Sequence, residues 1–276
     1  MKIRQHSMIT SVLMSILFLA FAGIQSVHAG DWSNTGDWSN TMATAVFDGK
    51  LYSIEKSGEL YVTELTNGTW KQVGKAEFAN TRFLFAGDRN LFTIEKDGTF
   101  YRVDPSDGSW DQVGKANDWK GTIAGAMAGG RLYTVDTSGT LYETNPETGA
   151  WKQVGKSDYQ NTKYLYGAGS TVYTIEKDGS FYRVNSGDGS WNRVGKQGDW
   201  KNTIAGAVLG GKIYTVESGG VLYETDPSSG NWREVGKPDF ARTKFFFGAG
   251  GSLYSIETDG KLYRISPSNG SWEAVG

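Results

Sequence analysis

An all-β, six-bladed β-propeller of four-stranded antiparallel blades is the fold this sequence predicts, and three observations carry it. A unit of 40 or 41 residues occurs six times, each copy ending in Trp-x-x-Val-Gly: Trp70–Gly74, Trp110–Gly114, Trp151–Gly155, Trp191–Gly195, Trp232–Gly236 and Trp272–Gly276. That period belongs to four-stranded propeller blades or to helical-pair solenoids. The second observation decides between them: the units are built of short aromatic and β-branched runs such as Leu51–Lys56 and Phe100–Asp104, with no competing helical pattern. Third, the runs are separated by Asp-Gly, Ser-Gly and similar pairs, where glycine supplies the positive φ of tight hairpins. Four antiparallel strands bury a sheet face only against a neighbouring unit, and a ring of six does this for every unit.

Unit two shows the elements in order. Strands are expected over 81–86, 91–96, 99–103 and 109–113, with turns at 87–90, 97–98 and 105–108. The Trp of Trp-x-x-Val-Gly, on the fourth strand, is expected to pack as core against a neighbouring sheet, because a large aromatic at one position in every copy reads as packing. Residues 52, 92, 133, 173, 214 and 254, all Tyr or Phe in the second strand, receive the same assignment. The units alternate in kind. Units three and five open their first strand with Ile123-Ala-Gly-Ala126 and Ile204-Ala-Gly-Ala207; units two, four and six open it with Phe83–Phe85, Tyr164–Tyr166 and Phe245–Phe247, each behind a cation, Arg82, Lys163 or Lys244. Small and bulky inner strands are thus expected to interdigitate around the axis, with pseudo-threefold symmetry. No strand is visibly shared between the ends, so the ring is expected to close by packing, with the extra copy Asp31–Thr35 as a candidate clasp.

The ends and the composition bound the function. Residues 1–29 read as a signal peptide: Lys2 and Arg4, an apolar run from Met8 to Ile24, and a small-residue cleavage site, Val27-His-Ala29. A membrane anchor is the other reading of this segment, but Thr10, Ser11 and Ser15 interrupt the run. The expected mature chain is one domain, 30–276, with repeats at about 36–75, 76–115, 116–156, 157–196, 197–237 and 238–276. The expected location is secreted or periplasmic, with no membrane insertion after cleavage. The chain has no Cys, which removes disulfides and a lipid-bearing cleavage-site Cys. Its formal charge is −2, or −4 without Lys2 and Arg4, and it has no basic tract to draw nucleic acid. Both histidines, His6 and His28, fall in the leader. The remainder therefore lacks Ser-His-Asp, Cys-nucleophile and His-metal chemistry, leaving carboxylate, Tyr, Lys and Ser groups. A non-enzymatic role without cofactor or metal is expected; no Asp-x-Asp-x-Asp run points to calcium.

Propeller blades place the connections between units and the second-to-third turns on one face. Each connection presents an acid and then an aromatic: Asp37-Trp38, Glu77-Phe78, Asp118-Trp119, Asp158-Tyr159, Asp199-Trp200 and Asp239-Phe240. A further acid closes each second strand: Glu55, Glu95, Asp136, Glu176, Glu217 and Glu257. Sugar rings stack on aromatics while carboxylates accept from their hydroxyls. Trp38, Phe78, Trp119, Tyr159, Trp200 and Phe240, with Asp118 and Asp199, are therefore the candidate ligand-binding residues. The indoles of the odd units are expected to make the stronger sites. A structural reading stands beside this one: the aromatics plug gaps between blades, and the acids cap turns or pair with Arg82, Lys163 and Lys244.

The order Trp151-Lys-Gln-Val-Gly155, Tyr159, Thr171-Val-Tyr-Thr-Ile175, Ser180-Phe-Tyr182 resembles the repeats of tachylectin-like and tectonin-type β-propeller lectins along the whole mature chain. The resemblance implies a sugar-recognising propeller with several shallow sites, and hence a glycan or cell-surface polysaccharide as partner. Two further readings stay open: a secreted or periplasmic scaffold that binds a protein partner without sugar, and an enzyme using central carboxylates.

Overall fold

A computed structural model describes residues 37–276. The leader and the candidate clasp Asp31–Thr35 lie outside the described residues. Six four-stranded sheets follow in chain order, each strand pairing antiparallel with the next, and no helix occurs among the described residues. The blades run Thr41–Val73, Thr81–Val113, Thr122–Val154, Thr162–Val194, Thr203–Glu234 and Thr243–Ala274. In blade 2 the strands are Thr81–Ala86, Leu91–Glu95, Phe100–Val103 and Trp110–Val113, within a residue or two of the sequence expectation.

The core lies between blades. Six apolar clusters each join two neighbours, as where Val113, Phe92 and Phe100 of blade 2 meet Trp119 and Leu132 of blade 3. Tyr52, Phe92, Tyr133, Tyr173, Tyr214 and Tyr254 are 1–7% exposed, core as expected. The aromatic of each connection plugs a seam, and its backbone N–H donates to the second-to-third turn of the preceding blade. The bonds are Phe78 to Gly58 O (3.0 Å), Trp119 to Gly98 O (3.1 Å), Tyr159 to Gly139 O (2.9 Å), Trp200 to Gly179 O (3.2 Å) and Phe240 to Gly220 O (3.0 Å). The sixth seam has the same bond: Trp38 N donates to Gly260 O at 2.9 Å. Trp38 and Leu51 of blade 1 share a cluster there with Ile256 and Val275 of blade 6, so the ring closes by the contact used at every other seam, without a shared strand. The turn glycine is required: Gly98 has φ +86° and a Cβ on it would lie 2.2 Å from Lys120 N.

Every first strand carries a register shift after its leading Thr, so that one residue bulges; in even blades it is the cation, Arg82, Lys163 or Lys244. Each cation sits over the next ring, at 5.1–5.4 Å from the centroids of Phe83, Tyr164 and Phe245. Lys163 Nζ also donates to Thr203 O (2.5 Å), and Lys244 Nζ to Ser39 O (3.0 Å) and Thr41 O (2.6 Å), tying an even blade to the following odd one. Below them the inner strands interdigitate as expected: a Cβ on Gly125 would fall 2.7 Å from the Phe85 ring, and one on Gly206 would fall 2.3 Å from Tyr166 Oη.

One expectation is reversed. Trp110, Trp151, Trp191, Trp232 and Trp272 are 45–50% exposed, and Trp70 is half-buried. The core residue of Trp-x-x-Val-Gly is the Val, 1–7% exposed in all six copies. Two residues three apart on a strand point to opposite faces, and on the outermost strand only one face meets the next blade.

A candidate ligand-binding cleft in each blade

The reversed tryptophan builds a site. Its strand is the blade's outer edge, and the chain crosses from there over the next blade to reach that blade's innermost strand. The connection's acid thus lies above the sheet whose fourth strand begins 33 residues later. The indole Nε1 donates to that acid: Trp110 to Glu77 (2.9 Å), Trp151 to Asp118 (3.0 Å), Trp232 to Asp199 (3.3 Å) and Trp272 to Asp239 (3.2 Å). The third-strand Tyr stands diagonally opposite and meets the indole edge to face, with centroids 4.6–5.2 Å apart in all six pairs from Tyr61–Trp70 to Tyr263–Trp272.

Between connection and sheet these groups enclose a small cleft. In blade 3 it holds ≈ 80 Å³ and is lined by Asp118, Trp119, Thr122, Thr134, Asp136, Tyr142 and Trp151. Equivalent clefts of ≈ 260, 110 and 120 Å³ lie in blades 1, 4 and 6. Blades 2 and 5 carry the same residue types and the same indole-to-acid bond. Each cleft is complete within one blade.

The second-strand acid sits at the back. Thr41, Thr81, Thr162 and Thr243 donate through Oγ1 to Glu55, Glu95, Glu176 and Glu257 at 2.6–3.0 Å. Burial is the main cause that raises these four carboxyls above the usual carboxylate range, and nearby acids push the same way. The expected alternative, that such acids pair with Arg82, Lys163 and Lys244, does not describe Lys163 and Lys244, which donate to backbone carbonyls.

The structure places the predicted ligand residues unevenly. Asp118 and Asp199 face the cleft mouths, where they hold the indole N–H groups. Trp38, Phe78, Trp119, Tyr159, Trp200 and Phe240 are only 3–5% exposed, so none offers a ring face for stacking. They are the plugs of the structural reading, and Trp38, Trp119, Tyr159 and Phe240 also line a cleft. Their alternation is internal matching: Trp119 Nε1 donates to Thr144 Oγ1 (3.4 Å), while Tyr159 Oη, in an even blade, donates to Gly189 O (2.6 Å). Thr63 and Thr225 stand at the same 25-residue spacing after Trp38 and Trp200, although their hydroxyls have no hydrogen-bond partner, and Val103, Val184 and Ile265 stand 25 after Phe78, Tyr159 and Phe240. The expected advantage of the odd units therefore loses its basis, since every blade presents an outer indole. The outer Trp and the Tyr beside it are what sequence reasoning missed; the 33-residue spacing from acid to indole and the odd Trp-to-Val spacing are the signals that could have found them. Among the described residues no three acidic side chains converge closely enough to hold a metal ion.

Fold and clefts together define a class: a six-bladed propeller with a repeated, solvent-facing cleft in its blades. A family model described as "Outer membrane protein assembly factor BamB" matches residues 109–242, somewhat under half of the chain. No curated protein sequence matches. Among solved structures, a protein of unknown function from Bacteroides thetaiotaomicron superposes with a TM-score of 0.62 at 15% identity, over 84% of this chain and 70% of that one. The computationally designed protein Ika8 gives 0.53 at 16% identity, over 86% and 74%. PorZ, a bacterial surface component of the type-IX secretion system of Porphyromonas gingivalis, gives 0.56 at 12% identity, over 87% of this chain and 38% of PorZ. At these identities the shared property is the propeller fold. No helix among the described residues is long and apolar enough to cross a membrane.

Proposed function

We propose that this protein is an exported, multivalent carbohydrate-binding propeller, acting by binding and not by turnover, with the blade clefts as its sites. The observation that carries the reading is the outer indole of the fourth strand, about half exposed and fixed by its N–H bond to the connection acid and by the Tyr edge. A rigid aromatic face beside carboxylate acceptors is what a pyranose needs, an apolar face to stack on and partners for its hydroxyls. The clefts are small and open, which suits weak single sites. Six of them on one ring would gain avidity on a polysaccharide or cell surface. Export rests on the leader-like residues 1–29, and the tachylectin- and tectonin-like repeat order supports the sugar. The test is a glycan panel probed with residues 30–276 and with a Trp151→Ala, Trp191→Ala, Trp272→Ala variant. Glycans retained by the parent and held more weakly by the folded variant, which keeps Trp70, Trp110 and Trp232, support the reading, while equal retention by both or a panel blank for both sinks it. Retention should persist in chelator.

A second reading is favoured by the partial match to the BamB description and by the likeness to PorZ: a periplasmic or surface scaffold that holds a protein partner. Free monosaccharides separate the two, since they compete only with the first.

A further inference from the structure

We infer that the clefts of blades 1 and 4 select sugar units bearing a free, protonated amine over acetylated or neutral ones. This rests on the carbohydrate reading and names the ligand chemistry within it. Blade 1 shows the basis most openly. Its cleft is walled by three carboxylates, Asp37, Glu55 and Glu59, with Tyr61 and Trp70 opposite, and no Lys or Arg lines it. In blade 4, Asp158, Glu176 and Asp178 repeat the arrangement, again with no lining cation. Burial is the main cause that raises the Glu55 and Glu176 carboxyls; Asp37 and Glu59 push Glu55 further up against the pull of Lys244, and Asp178 pushes Glu176 up against that of Lys177. A cation entering the cleft would relieve that repulsion.

Two independent features point to a ligand in this space. Ser53 Oγ and Thr63 Oγ1 line the blade 1 cleft, both residues are 0% exposed, and neither oxygen has a hydrogen-bond partner. Buried hydroxyls without partners are uncommon, and a donor or acceptor arriving in the cleft would satisfy them. Blade 6 supplies the second. There the turn acid Asp259 is met by Arg242, with Nη2 3.3 Å from Oδ2, and Arg242 itself lines the cleft. The matching position is Asn40 in blade 1 and Asn161 in blade 4, so in blade 6 the chain's own guanidinium stands where the other two blades have no cation; in blade 4 the matching acid, Asp178, accepts from Ser180 and from the neutral Gln197 amide (2.9 Å).

The kind of cation follows from spacing. The acids do not converge on a point, so they do not make a chelating site for a bare metal ion. Spread carboxylates facing an indole and a phenol instead suit an organic ammonium, attracted both by the acids and by the aromatic quadrupole. On a sugar, that group is an unacetylated amine.

The experiment is calorimetric titration of the protein at pH 6 with a glucosamine tetramer and, separately, with its fully N-acetylated counterpart. The free-amine oligomer is expected to bind about tenfold tighter or better, with a preference that shrinks as salt is raised. A Glu59→Gln, Asp178→Asn variant, which keeps the indoles, should narrow the gap. Equal or tighter binding of the acetylated oligomer overturns this inference and leaves the carbohydrate reading standing. Binding of a lysine-rich peptide with no sugar of either kind bound would overturn both.

Discussion

At the scale of single residues, two tryptophans of one blade have opposite jobs. Trp119 is 4% exposed in the seam between blades 2 and 3, and Trp151 is 50% exposed at the cleft mouth. Trp119→Ala should therefore cost about 3–5 kcal/mol in denaturant or thermal unfolding. Trp151→Ala should cost about 1 kcal/mol or less while removing ligand from its blade. A larger loss for Trp151→Ala would mean that the strand faces are misassigned. The buried glutamates give a pH-dependent counterpart. Burial raises Glu176 in the native state, so the native protein holds that proton more tightly than the unfolded chain does. The stabilisation from this linkage is complete below the ordinary carboxylate range, near pH 4, and is lost as pH rises through the raised native value. Glu176→Gln, whose amide oxygen still accepts from Thr162, should raise the melting temperature at pH 7, and the gain should vanish at pH 4. A lower melting temperature at pH 7 would show that the carboxylate itself is stabilising.

At the scale of strands and blades, the sequence carried the architecture openly and the site poorly. Hairpin glycines and alternating apolar residues marked the strands of blade 2 to within a residue or two, because turn φ and strand parity are local properties. The outer and connection aromatics, by contrast, recur equally in every copy, so recurrence does not separate core from surface. Only strand parity, applied to the edge strand with Val as the inward residue, tells them apart. Interdigitation of the inner strands was legible from Ala-Gly-Ala beside Phe-Leu-Phe, and it can be tested. Gly206→Ala places a methyl against Tyr166 Oη and should destabilise by about 1–3 kcal/mol. Tyr166→Leu in the same chain should recover part of that loss, since the clash is with a side chain. Gly167→Ala should find no such rescue, because its Cβ would meet the backbone oxygen of Met127. Recovery of Gly167→Ala by a side-chain substitution would place the inner strands differently.

At the scale of the whole molecule, the seams use one device. The sixth, where the described chain meets itself, has the connection-to-turn hydrogen bond of the other five and adds two Lys244 bonds to backbone oxygens of blade 1. Moving the ends of residues 37–276 to the blade 2–3 connection, with a short linker joining the old ends, should leave a folded ring that melts within a few degrees of the parent. Loss of cooperative unfolding in that permutant would show that the natural closure has a contact the other seams lack. The central claim is that the outer indoles, and not the seam aromatics, form the ligand surface. Titrating ¹⁵N-indole-labelled protein with a glycan retained in the panel tests it most directly, because each Nε1–H reports on its own site. The resonances of Trp70, Trp110, Trp151, Trp191, Trp232 and Trp272 are expected to shift, while those of Trp38, Trp119 and Trp200 stay in place. Shifts confined to Trp38, Trp119 and Trp200 would contradict the account.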